Sequence, residues 1–151
     1  MWTEAKPWLH AVEKDANSPI VDVLPPGGTT FVAHLNGASM TTTDGVFEQF
    51  YNELRFPAYF GWNWNALFEC LRDLAWIPAD RYLLVIENPG EILTSDDDDL
   101  DHLTRILFKA AKEWSSSLGK PNGIATPLNV IFICDKADIA TVRQNIAVYQ
   151  P

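Results

Sequence analysis

A chain of 151 residues fits one domain, and a hydrophobic content of 47% with 21% charged residues is enough to bury a core, which excludes a chain disordered throughout. Its 20 acidic against 11 basic residues leave a formal charge of −9, the wrong sign for a nucleic-acid binder that must neutralise phosphates. No run of about 18 apolar residues could span a membrane, and Met1-Trp2-Thr3-Glu4-Ala5-Lys6-Pro7 lacks a secretory leader's apolar stretch, so a soluble, cytoplasmic protein is expected.

In chain order, residues 1–28 show no regular pattern and read as an N-terminal extension. Pro25-Pro26-Gly27-Gly28 ends it like a hinge, while Trp2 and Trp8 imply that it packs somewhere. Residues 29–151 are taken as the domain. Thr29 to Leu35 is short, apolar and β-branched, which predicts a buried strand. A helix follows, with Val46, Phe47, Phe50, Tyr51 and Leu54 on one face and Thr43 or Asp44 as its N-cap. A second helix is predicted from about Trp62 to Leu74, and a second strand from Tyr82 to Glu87. Leu100, Leu103, Leu107, Ala110 and Trp114 recur at helical spacing. Ser95 would cap that helix, with Asp96 to Asp99 where the helix dipole favours negative charge. Ser115 to Pro127 is rich in loop formers and reads as an exposed connection. Leu128 to Cys134 predicts the last strand, and Asp135 starts a short helix through Ile139, Val142 and Ile146. Strands alternating with helices imply parallel pairing and right-handed crossovers. The expected architecture is α/β, a small three-stranded parallel sheet packed with helices.

Signatures of catalysis are missing. The glycines are scattered, and Gly27-Gly28 precedes a strand, so no phosphate-cradling loop is formed. His10, His34 and His102 are far apart and not spaced as ligands with a cysteine, so neither a metal nor another cofactor is expected. Cys70 and Cys134 lie in apolar segments and read as buried free thiols. Asp96-Asp97-Asp98-Asp99 lacks the alternation and central glycine of a calcium loop.

The informative stretch runs from Phe56 to Leu74. Plotted at about 100° per residue, Leu67, Cys70, Leu71 and Leu74 form an inward stripe. Trp62, Asn65, Glu69 and Asp73 fall opposite, flanked by Phe68 and Arg72. An outer face mixing aromatic rings with amide and carboxylate groups suits a protein partner, because aromatics are enriched at interfaces. An ordinary amphipathic helix is the plainer reading of the same pattern.

Pro57-x-Tyr59-Phe60-Gly61-x-Asn63-x-x-Ala66-Leu67-x-x-Cys70-Leu71 resembles the signature of the barstar family. Leu83-Leu84-Val85-Ile86-Glu87 and Leu107-Phe108-Lys109-Ala110-Ala111 extend the likeness, which covers roughly residues 30–134. The resemblance implies a barstar-like α/β domain that inhibits a small basic ribonuclease by filling its cleft as a protein mimic of the phosphate backbone. The barnase–barstar pair is itself a reference case for electrostatic steering. By resemblance, Tyr59 is the loop aromatic, Gly61 the turn glycine and Asn63 a loop-ordering residue. Asn65 and Glu69 stand where interface aspartates are expected, Phe68 replaces an interface tryptophan, and Asp98 matches an acid of the later helix. Asn65 cannot form a charge pair, Glu69 is a methylene longer, and Trp62, Trp64 and Arg72 add bulk or positive charge.

The expected function is therefore an immunity protein or antitoxin, not an enzyme. The expected partner is a basic extracellular-type ribonuclease diverged from barnase, or another basic toxin. The candidate contact residues are Tyr59, Trp62, Asn65, Phe68, Glu69, Asp73 and Asp98. The alternative is a non-inhibitory binding or regulatory module on the same fold whose partner is not a nuclease. A hydrolase using Glu69 and Asp73 is disfavoured, since no nucleophile, metal cluster or positioned histidine accompanies them. A monomer is favoured, with exposed tryptophans the route to a homodimer.

Overall fold

The computed structural model describes residues 8–14, 28–96, 100–116 and 126–150. Its strands are β1 (Leu9–Glu13), β2 (Thr30–Asn36), β3 (Arg81–Glu87) and β4 (Leu128–Cys134). They form one sheet in the order β1-β4-β3-β2, with every pairing parallel. The α/β architecture is as expected, but the sheet has four strands where three were expected. The strand that was not foreseen is β1, a five-residue edge strand that is half-exposed over most of its length. Its signal is non-local. Leu9 pairs with Val130 near the opposite end of the chain, and the Gln150 side chain holds its first residues. Gln150 Oε1 accepts from the backbone N–H of Trp8 and Leu9, and Nε2 donates to the Leu9 carbonyl at 2.7 Å.

The helices are α1 (Thr43–Glu53), α2 (Trp64–Asp73), α3 (Leu100–Ser115) and α4 (Ile139–Ala147). Their apolar stripes join Leu35, Leu84, Ile86, Val130 and Phe132 of the sheet in the main core. Central β3 is buried from Tyr82 to Ile86. Leu83, Val85 and Ile131 gather on the other sheet face with Val12, Val32 and Ile133. Asn129 is fully buried, and neither its side-chain nitrogen nor its oxygen has a hydrogen-bond partner among the described residues.

Two helix starts differ from those predicted. Thr42, not Thr43 or Asp44, caps α1, its Oγ1 accepting from the Gly45 N–H at 3.0 Å. The described part of α3 begins at Leu100, and Asp97, Asp98 and Asp99, predicted for its first turn, lie outside the described residues. The Asp96 carboxylate accepts from the Thr43 N–H at 2.8 Å, and the Ser95 N–H donates to the Thr41 carbonyl. Asp96 thus serves the start of α1, satisfying an amide group that a helix N-terminus leaves without a partner. Trp62 is not helical, since α2 starts two residues later behind its cap Asn63. The short last helix lies where predicted, with its leading turn closed by the Asp135 carbonyl.

Candidate partner-binding face

Helix α2 has an apolar underside that fixes what points outward. Leu67, Cys70, Leu71 and Leu74 are all buried in the main core. Each fully buried leucine contributes about 1.5–3 kcal/mol, so this orientation is strongly held. Two indole N–H groups pin the surrounding segments. Trp114 Nε1 donates to the Leu71 carbonyl at 2.8 Å, and Trp76 Nε1 donates to the Leu54 carbonyl at 2.9 Å. Asn63 orders the loop before the helix: its Oδ1 accepts from the Ala66 N–H at 2.8 Å, and its Nδ2 donates to the Gly61 carbonyl at 3.1 Å.

The turn geometry differs from the glycine turn expected at Gly61. The left-handed residue is Trp62, with φ of 53°. A side chain at Gly61 would instead crowd Asn63, whose Nδ2 lies 3.2 Å from the position of an added Cβ. Trp62 tolerates its conformation because its ring packs on Tyr51 at 5.1 Å and Phe60 at 5.3 Å between centroids. Trp64 at the start of α2 packs edge-on to Phe47 and stacks on His102 of α3 at 4.3 Å. Trp64 therefore works in helix packing.

The predicted residues are brought together in part. Tyr59 is 72% exposed and stands beside the outer face of α2, while Trp62, 46% exposed, packs toward Tyr51 and Phe60. Asn65, Glu69 and Asp73 are exposed along that helix, while Phe68 is half-buried against the core. Tyr59, Glu69, Cys70, Arg72 and Asp73 line an open hollow of about 390 Å3. Partial desolvation, together with the Asp73 carboxylate, raises the Tyr59 phenol above its ordinary value, so it stays a neutral hydrogen-bonding group. Phe68 lines a different groove with Lys109, Lys112, Glu113 and Ser116. Asp98 lies outside the described residues.

One feature of the face went unread in the sequence: Glu69 is paired with Arg72. Arg72 Nε lies 3.4 Å from Glu69 Oε2, and the guanidinium stands 5.7 Å from the centre of the Phe68 ring. The spacing of three positions along a helix was the available signal. Such an exposed pair contributes about 0.5 kcal/mol to folding at most, but it places a cation in the middle of the face.

No nucleophile is built here. Burial pushes the Cys70 thiol up, with Asp73 and Glu69 adding to the shift, and burial pushes Cys134 up to about 11. Both cysteines are free and buried. Among the described residues, no cluster of three or more His, Cys, Asp or Glu side chains is arranged to hold a metal ion. No described helix is long and apolar enough to cross a membrane.

A model of the family described as Barstar (barnase inhibitor) matches residues 30–126, more than half of the chain. The chain belongs to the barstar family. The matched stretch runs from β2 through α3 and contains all of the face just described. The family's description is that of a barnase inhibitor. No curated protein matches the chain significantly.

Proposed function

We propose that this barstar-family protein is an inhibitor that binds a basic ribonuclease and blocks its active-site cleft with the loop before α2 and the outer face of α2. The observation that carries this reading is the placement of exposed Tyr59 beside Glu69 and Asp73 around one hollow, on a helix whose underside is locked in the core. Carboxylates on a rigid helix suit the arginine, lysine and histidine groups of a phosphate site, where charge-assisted hydrogen bonds are strongest. Tyr59 and Trp62 supply the aromatic area that excludes water from such a contact. Asn65 contributes an amide that accepts or donates but carries no charge.

The protein would act inside the cell as an immunity protein or antitoxin, as a monomer. Its partner would be an extracellular-type ribonuclease or a related basic toxin. Residues 29–151 would form the inhibitory domain, with 1–28 an extension that adds β1 to the sheet. The test is inhibition of a small basic ribonuclease encoded beside this chain. Glu69→Ala should weaken binding by about 2–5 kcal/mol, the range for truncating one partner of a buried charge pair. Unaltered inhibition by that variant would exclude the mechanism. Recovery of a partner without nuclease activity would favour a regulatory module.

A further inference from the structure

Resting on the inhibitor reading above, we infer that Arg72 is a specificity-determining residue. It disfavours purely cationic clefts and selects a ribonuclease whose contact surface also carries an acidic group. Glu69 and Arg72 are held 3.4 Å apart, with side chains 52% and 44% exposed, so whatever approaches one meets the other. The guanidinium stands over Phe68 at 5.7 Å from its ring centre. Beyond that ring, Lys109 and Lys112 line an open groove of about 500 Å3 with Phe68, Glu113 and Ser116. Charge on the face is therefore mixed. Arg72 shares the hollow beside Tyr59 with Glu69 and Asp73 and reaches over Phe68, beyond which Lys109, Lys112 and Glu113 line the neighbouring groove.

The exposed Glu69–Arg72 pair is weak in water, so its rupture is not the main obstacle to a cationic partner. The obstacle is Arg72 itself once the contact is closed, because like charges brought together in a desolvated interface strongly reduce affinity. A partner carboxylate over the Phe68 half reverses the sign, since arginine binds carboxylates through two parallel hydrogen bonds. Lys109 and Lys112 extend the same preference along α3.

The probe is barnase, the enzyme named in the family's description. Calorimetric titration would compare the unchanged chain with Arg72→Gln, with circular dichroism confirming that both fold. Arg72→Gln should bind barnase at least about tenfold more tightly, and Lys109→Gln with Lys112→Gln should shift affinity the same way by less. Equal or weaker binding by Arg72→Gln overturns the inference, as does failure of both chains to bind. Glu69→Gln in each background separates this failure from that of the inhibitor reading. If it weakens binding in both while Arg72→Gln changes nothing, only the role of Arg72 falls. If Glu69→Gln is silent in both, the inhibitor reading falls with it.

Discussion

Single side chains set the shape of the face. Asn63 closes the first turn of α2 and ties it to the Gly61 carbonyl, which fixes the direction in which Tyr59 and Trp62 leave the loop. Asn63→Ala should cost about 1 kcal/mol in a denaturant melt. Asn63→Asp should recover most of the loss, since only the donation to Gly61 is forfeited. An alanine variant as stable as the parent would remove the cap from the account. His10 acts at a distance from the face. Burial holds its imidazole below the ordinary range, with the neighbouring Asn129 acting the other way, and its Nε2 has no hydrogen-bond partner among the described residues. The unfolded chain then binds a proton more readily than the folded one. Stability should therefore be full above an ordinary histidine pKa of about 6.5 and fall as the pH drops through it. In pH-dependent melts His10→Gln should flatten that slope, and an unaltered slope would assign it to other groups.

At the scale of elements, the sequence displays what is local and hides what is not. The stripe Leu67, Cys70, Leu71 and Leu74 was legible because one helix carries all of it, and each member is buried. The strands β2, β3 and β4 were legible as apolar β-branched runs, since the interior of a parallel sheet leaves little to alternate. Strand β1 was not, because Leu9–Glu13 is short, lies at an edge and pairs with β4 across most of the chain. Trp62 was drawn into α2 because helical spacing cannot reveal a left-handed residue just before a cap. The Gln150 contacts make β1 testable. Gln150→Ala removes three hydrogen bonds to Trp8 and Leu9, each contributing about 1 kcal/mol net. Amide exchange in β1 should accelerate while exchange in β3 is unchanged. Equal protection of β1 in both proteins would show that strand pairing alone holds it.

Across the whole molecule, the proposed inhibitor role gives a formal charge of −9 the long-range attraction and leaves selectivity to the face. Net charge steers encounter with a basic protein and is screened over about 8 Å at physiological ionic strength. It says little about which basic protein is held. On the proposed reading, selectivity belongs to the hollow around Glu69 and Arg72 and to the lysines beside Phe68. The family was legible from Pro57 to Leu71, whereas the pairing of Glu69 with Arg72 needed the folded helix. The most direct measurement is the affinity of the unchanged chain and of Glu69→Ala for the ribonuclease encoded beside it, taken across a range of salt concentrations. The inhibitor account predicts tight binding that weakens with salt, and a loss of about 2–5 kcal/mol in the variant. Equal affinities for the two chains, insensitive to salt, would contradict it.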